Sequence, residues 1–552
     1  MNRRQFLQRT AAGGGFVAAS QLLGGCAWPS WTQIPPWLPV KLVDTGQQMG
    51  HRLRDLREMP PIQATRVVDT LILGSGVAGL TAAWRLNQQD QYQQGQRDVL
   101  MLTGSEWMGN ASAGQWSPAD AAQTQLRYPR GAHYLPFPTA ESSHVAEMLR
   151  ATGILHGTEL GLASSYDERV VVHAATERIY ADGAWHDGLL PPLAEGSVAA
   201  QQVVRFFQFT DGLKGQRGSD GRLLFAIPVV LSSQDQTWQA LDQLTFAAWL
   251  TQQGYDAPEL LWYLDYCCRD DYGAGIRRVS AWAGLHYFAS RLHEKDDSEH
   301  TPILTWPDGL HGLTARLYQQ CQPPTLPLTA IQVRELSNGA QVLAMDHAGK
   351  VTEFRARKVI CAMPLHALQY VWSDMFNAYQ GSERLLPQYP WLVANVWLDG
   401  ILPERDGEPM AWENVIYGSE SLGFVNSTHQ RFGQTRPLHN VLTCYHALTD
   451  LSPEAGRLWL KTASVSQMLA LVLQDLMTAY GKRLWSRVAG VELCVRGHAM
   501  SAPSVGFRSN QLLQDLQNKQ GSVLVAHADL SGYSVFEEAS YWGWQAAGQV
   551  LA

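Results

Sequence analysis

The chain has 552 residues, 45% hydrophobic and 17% charged, enough apolar material for a large core and too much for a disordered chain. Its formal net charge is −8 and no block of Lys or Arg occurs beyond the N-terminus, which excludes a nucleic-acid partner on electrostatic grounds. At about 150 residues per domain the length allows three to four units, and two larger interleaved ones are expected.

The first residues, Asn2-Arg3-Arg4-Gln5-Phe6-Leu7-Gln8, precede a weakly apolar Gly/Ala-rich stretch (11–23) and Leu23-Gly24-Gly25-Cys26. Paired arginines followed by Phe-Leu resemble a twin-arginine export signal, and Leu-Gly-Gly-Cys resembles a lipoprotein cleavage box. Residues 1–26 are therefore expected to be a signal, with Cys26 the lipidated first residue of a mature, periplasmic, membrane-tethered protein. No other run approaches the roughly 18 to 20 apolar residues of a spanning helix. Residues 27–65 carry Pro29, Pro35, Pro36, Pro39, Pro60 and Pro61 and are expected to be an extended, partly ordered tether. The six remaining cysteines show no CxxC spacing and no His at zinc-finger distance, so no structural metal is expected. The adjacent pair Cys267-Cys268 is read as buried thiols rather than a redox couple.

From residue 66 the pattern changes. A strand at 67–73 runs into Gly74-Ser75-Gly76-Val77-Ala78-Gly79, then a helix of small residues and Leu, then a second strand at 98–102. In such a βαβ unit the first Gly permits a tight turn, the second lets backbone approach a pyrophosphate, and the third allows helix to pack on strand. The second strand ends at Leu102-Thr103, where an acid normally binds ribose hydroxyls; either Thr103 or Glu106 substitutes, or the adenosine end is held less tightly. The middle of the chain holds alternating turns and amphipathic stretches. Further on, 328–336 and 340–345 alternate as strands of a meander, and 357–364 reads as a buried strand stopped by Pro364. Near the C-terminus a strand at 521–525 precedes Asp529 and a second helix of small residues that begins around Val535-Phe536-Glu537. Two helix N-termini at opposite ends of one chain suit the two ends of a long dinucleotide.

The closing helix reads Glu537-Glu538-Ala539, Gly543, Ala546-Ala547, and Gly131-Ala132-His133-Tyr134 and Trp306-Pro307-Asp308-Gly309 mark two further turns. In these motifs, together with the Gly74–Gly79 turn, the chain resembles the flavin-containing amine oxidase superfamily, which includes protoporphyrinogen oxidases and phytoene-type desaturases. The resemblance implies an α/β fold: a Rossmann-like FAD-binding domain (66–135, 300–370 and 485–552) interleaved with an α+β substrate domain (136–299 and 371–484). It implies FAD contacts at Gly74, Ser75, Gly76, Val77, Ala78 and Gly79, and at Thr103. Gly131, Ala132, His133 and Tyr134 would pass beside the isoalloxazine, and Val333 and Pro364 would hold the adenine end. Asp529 would contact the ribityl and phosphate region, and the backbone at Val535, Phe536 and Glu537 would face the flavin pyrimidine edge.

The departures are as specific as the matches. Where the superfamily usually has Gly-Gly-Arg, this chain has Gly109-Asn110-Ala111-Ser112, and Glu538 stands in place of a Gly. Val535 occupies the position of one wall of the aromatic cage of amine oxidases. The last cysteine is Cys494, so no thioether link is expected and FAD is expected to bind non-covalently. His133 is the best candidate for a catalytic base, although a His satisfied in a packed turn is the plainer reading; His498 and His527 are weaker candidates. Trp391, Trp397 and Trp412 would suit an apolar substrate pocket. The expected activity is two-electron oxidation of a CH–NH or CH–CH bond of a small molecule, with electrons passing to dioxygen or another acceptor. The alternatives are desaturation or isomerisation of an isoprenoid-like molecule and a flavin-binding lipoprotein with no turnover.

Overall fold

The computed structural model describes residues 34–121, 124–293, 303–377, 379, 385–404, 409–431 and 438–552. The signal and Cys26 lie outside them. The near-continuous apolar run at Leu71, Ile72 and Leu73 is buried on both faces, as a parallel strand under helices requires. Its strand, Ile62–Leu73, lies between Val99–Leu102 and Val351–Cys361, parallel to both, and Val523–Val525 pairs parallel with the far end of Val351–Cys361. Gly339–Met345 and Thr329–Leu336 continue from Val351–Cys361 as the expected antiparallel meander, and Thr325–Leu326 closes the other edge beside Val99–Leu102. The registers bring residues 73, 102 and 361 to one end of this seven-stranded sheet, which is where the Gly turn, Thr103 and Pro364 emerge.

The helix that follows the Gly turn, Val77–Asn87, packs against the C-terminal helix Phe536–Leu551. Their crossing is closed at Gly543, where a Cβ would stand 2.2 Å from the Ala78 carbonyl oxygen. A one-methyl enlargement has nowhere to go, because the obstruction is backbone.

A second, eight-stranded sheet runs in the order Val40–Val43, Val488–Ser501, Gln388–Asp399, His439–Ala447, Phe424–Asn426, Glu413–Ile416, Glu177–Ala181, Ala184–Asp187. Along Gln388–Asp399 the alternation sorts side chains to two cores. Leu392, Ala394, Val396 and Leu398 pack with the helices at 453–480, while Trp391 and Val393 face Tyr266 and Cys267 of helix Pro258–Tyr272.

Two expectations are corrected here. Val488–Ser501, placed with the cofactor domain, is a 14-residue strand of the second sheet, because it pairs along its length with Gln388–Asp399; the return to the cofactor domain comes only after residue 501. The stretch expected as a tether is folded in its described part. Val40–Val43 adds as a parallel edge strand to Val491–Cys494, and helix Gln47–Asp55 buries Met49 and Leu53. That i, i+4 apolar pair outweighs the proline-rich composition around it.

The crossing at Gly543 yields a direct test. Gly543→Ala should lower unfolding stability by about 1–3 kcal/mol, read from the urea midpoint of the apoprotein, with the spectroscopic signature of the fold retained.

Candidate active site

A cavity of about 770 Å³ runs along the open end of the seven-stranded sheet. The Gly turn and the C-terminal helix both line it: Gly74, Ser75, Gly76, Val77 and Ala78 from one, Val535, Phe536 and Ala539 from the other. Gly74 has φ +117°, and its would-be Cβ falls 2.3 Å from the Ala362 carbonyl oxygen, so no side chain fits there. Gly76 differs. Its φ is −72°, and nothing lies within 4 Å of where its Cβ would stand, so the space in front of the first turn of Val77–Asn87 is open to a ligand. The unsatisfied N–H groups of that turn are the anion-binding end of a helix dipole. Gly79 does not line the cavity; it packs on the turn, with its would-be Cβ 2.1 Å from the Gly74 carbonyl oxygen. Ser75 ties the turn to the next loop, donating to the Thr103 carbonyl at 3.1 Å and accepting from the Met108 N–H at 3.2 Å.

Thr103, Ala132, Pro364 and Asp529 also line the cavity. Of the two substitutes for a ribose acid, Glu106 is committed elsewhere: Arg496 donates to both of its carboxylate oxygens at 2.8 and 2.9 Å, and Ser112 donates at 2.7 Å. Thr103 is the one left to face a ribose. Burial acts to raise the Asp529 carboxyl, but the charge and hydrogen bond of His527 and the N–H of Leu365 reverse this and hold it well below the usual carboxylate range.

Several predicted contacts lie elsewhere. Val333 is buried within Thr329–Leu336; the cavity wall on that strand is Leu328, Thr329 and Ala330, nearer the sheet end where the chain enters. Glu537 turns away from the cavity and accepts from Arg291 at 2.6 Å, because the helical turn sends consecutive side chains to different faces. Gly131 is held under Asn110, whose carbonyl accepts from the Ala132 N–H at 2.8 Å. Asn110, in the loop that lacks the arginine, also donates to the Ala499 carbonyl at 3.1 Å. Glu538, in place of a Gly, is fully buried; it accepts from the Val229 N–H at 2.6 Å and from the Ser531 hydroxyl at 2.5 Å, and burial pushes its carboxyl up to about 7.

His133 and Tyr134 do not reach the cavity. The His133 ring stacks on Tyr445 at 4.6 Å and lies 5.7 Å from Trp412; burial pushes it down to about 3, which makes it a poor proton acceptor at neutral pH. Tyr134 donates to Asp270 at 3.2 Å and Asp271 at 2.9 Å, and Tyr266 donates to Glu413 at 2.5 Å. Burial and mutual repulsion raise these carboxyls, Asp270 well above the ordinary range and Glu413 to about 7. Trp391 and Trp412 belong to this same core, whereas Trp397 stacks on Trp116 at 5.8 Å on another face. A small void lined by Asp271, Tyr287, Arg291, Tyr533 and Val535 adjoins it, and Val535 is shared with the main cavity. Cys267 and Cys268 are free and buried, their thiols pushed up by desolvation.

Sequence reasoning missed three parts of the cavity wall: the helix Gln47–Asp55, His366 as the partner of His498, which it named only as a weak candidate base, and Arg457. Only the i, i+4 apolar pattern of Met49 and Leu53 gave a local signal for the first.

The open face of Gly76 can be tested directly. Gly76→Val should melt like the parent but bind no dinucleotide, measured by flavin fluorescence titration of the apoprotein, whereas Gly74→Ala should lower the melting temperature itself.

A sequence model described as an NAD(P)-binding Rossmann-like domain matches residues 72–152. No curated protein sequence matches the chain. Among solved structures, wild-type putrescine oxidase bound to putrescine aligns with a TM-score of 0.59 at 13% identity, over 88% of this chain and 99% of that one. Cyclohexylamine oxidase from Brevibacterium oxydans IH-35A aligns with a TM-score of 0.56 at 15% identity, over 88% of this chain and 98% of that one. The chain has the two-domain, amine-oxidase-like fold, built on a Rossmann-like dinucleotide-binding half.

Proposed function

We propose that the protein is an oxidoreductase that binds FAD non-covalently along the main cavity and removes two electrons from the CH–NH bond of an amine. One observation carries this reading: the first turn of Val77–Asn87 and the start of Phe536–Leu551, from opposite ends of the chain, line one cavity. The open face of Gly76 and the free N–H groups of Val77 and Ala78 suit a diphosphate, and Thr103 suits a ribose. Bound FAD would supply the hydride acceptor. Val535, Phe536 and Ala539 would form an apolar wall that keeps water from the reacting end.

Amine oxidation is favoured over desaturation by the buried carboxyls Asp270, Asp271 and Glu413, of which Asp271 lines the small void that shares Val535 with the main cavity. A cationic substrate would offset the cost of burying them, and an apolar polyene would leave that cost in place. The desaturase reading draws support from Val535 itself, which offers no aromatic wall. His133, neutral and closed into its aromatic stack, is given no role in proton transfer. Electrons would leave to dioxygen or another acceptor.

The purified protein should be yellow, and anaerobic addition of mono- and diamines should bleach the flavin bands. A colourless protein that takes up no FAD ends this reading, and bleaching by polyenes alone transfers it to desaturation.

We propose further that the N-terminal segment exports the folded protein by the twin-arginine route and anchors it through Cys26 to the periplasmic side of a membrane. The folded region begins within eight residues of that cysteine, a span of at most about 28 Å of extended chain. Among the described residues no helix is long and apolar enough to cross a membrane. Cys26→Ser should move the protein from the detergent-extracted membrane fraction to the soluble one; retention in the membrane would reject the anchor.

A further inference from the structure

The cavity has a third wall that neither helix N-terminus explains. His366, just after Pro364, and His498, in the strand Val488–Ser501, stack ring on ring at 4.1 Å with planes 11° apart, and both line the cavity. The Nδ1 of His366 is buried and has no hydrogen-bond partner among the described residues. Two stacked imidazoles are expensive to charge together, and here burial and nearby positive charge push both down, His366 to about 4.

The groups around the pair are predominantly cationic. Arg457, on helix Pro453–Thr462, lies close enough to act on both rings and also lines the cavity; its guanidinium donates to the Gln388 carbonyl at 2.9 Å and to Glu454 at 3.0 Å. The same helix contributes Lys461, and helix Gln47–Asp55 contributes His51 and Arg54, the latter paired with Asp55 at 2.8 Å. Beyond the pair are Tyr370, His527 and Asp529. Arg496 lines the cavity too, but Glu106 neutralises it. Against these cations the facing carboxylates are Asp529, itself beside His527, and the exposed Glu454. With Arg457, Arg54 and Arg496 each paired to a carboxylate, Lys461 and the imidazoles give this wall its positive excess, which favours an anion in front of it.

We propose that His366 and His498, with Arg457, supply the counter-charge for the diphosphate of the dinucleotide, so that FAD is held more tightly as the pH falls through the imidazole range. This rests on FAD being the ligand of the cavity. The chain has no arginine in the loop Gly109-Asn110-Ala111-Ser112, so a cation for the diphosphate has to come from another element. In the empty cavity the rings stay neutral at pH 7. A diphosphate beside them stabilises the imidazolium, so binding takes up a proton, and affinity then depends on pH with the sign of an uptake.

The test uses the full chain stripped of flavin, with FAD, ADP, adenosine and riboflavin as separate probes, titrated between pH 6 and 8. For one proton taken up, the FAD dissociation constant should weaken as the pH rises, by at most about tenfold per pH unit, and level off above the raised pKa of the loaded imidazole. ADP should follow the same slope, while adenosine and riboflavin should be flat. His366→Gln should weaken FAD and ADP at pH 6 and flatten the slope, with the apoprotein melting curve as the control for folding. His498→Lys places a fixed cation at the wall and should hold FAD well at pH 8 with little pH dependence. A slope unchanged in both variants, a slope followed by riboflavin instead of ADP, or a His498→Lys protein no better than His498→Gln would overturn the proposal. If FAD fails to bind at any pH, the failure belongs to the cofactor reading; if it binds with a flat profile, only the histidine wall is wrong.

Discussion

The contact on which the remaining architecture depends is the crossing of Val77–Asn87 and Phe536–Leu551 at Gly543. Because no Cβ separates the helix from the Ala78 backbone, the axes approach closely enough for both N-termini to open on the same cavity. A helix N-terminus is an anion site only within its first turn, so displacing either helix by a side chain's thickness would aim one of them away from a shared ligand. Burial reinforces the geometry: Ala546, Ala547 and Val550 on one helix and Ala82, Ala83 and Leu86 on the other lie in the same core.

The second domain is fastened to this pair by charge as well as packing. Arg496 of strand Val488–Ser501 grips Glu106 from the loop after Val99–Leu102. From the same strand Glu492, fully buried, accepts from Arg130 at 2.6 and 2.8 Å and meets Lys41 at 2.8 Å. Such pairs add little net stability over an apolar substitute, but each alternative docking would strand a buried charge, so they select one arrangement of the domains. Asn110 works by the same logic with neutral groups, joining its loop to Ala132 and Ala499. The arginine absent from that loop is thus replaced by a connector, and the cationic side of the cavity is assembled from other elements.

The interior of the second domain has a different character. Its core mixes Trp391, Trp412, Tyr445 and His133 with the carboxyls Asp270, Asp271 and Glu413 and their tyrosine donors. The histidine that sequence reasoning favoured as a base is part of this core, where aromatic stacking and burial keep it uncharged.

The amino-acid sequence by itself determined the dinucleotide half: the Gly74–Gly79 turn, its flanking strands, the meander at 329–361 and the closing helix with Gly543 are local patterns whose glycine spacing and periodicity admit one reading. Even there it reached cavity-lining positions at the ends of these elements, such as Gly76, Asp529 and Val535. It misplaced Val333 by a few positions and put Glu537 on the cavity face, because strand entry points and helix phase are settled by packing partners that lie far away in the chain. The tertiary structure alone decided that residues 40–55 join the body, that Val488–Ser501 serves the second sheet, and that His366, His498 and Arg457 meet. Each depends on pairing between segments separated by tens to hundreds of residues, and edge-strand addition or ring stacking leaves no periodic trace in either partner. A polar side chain in a strand or loop reads the same whether it faces solvent, a core or a ligand; only the convergence of other elements on it makes the difference.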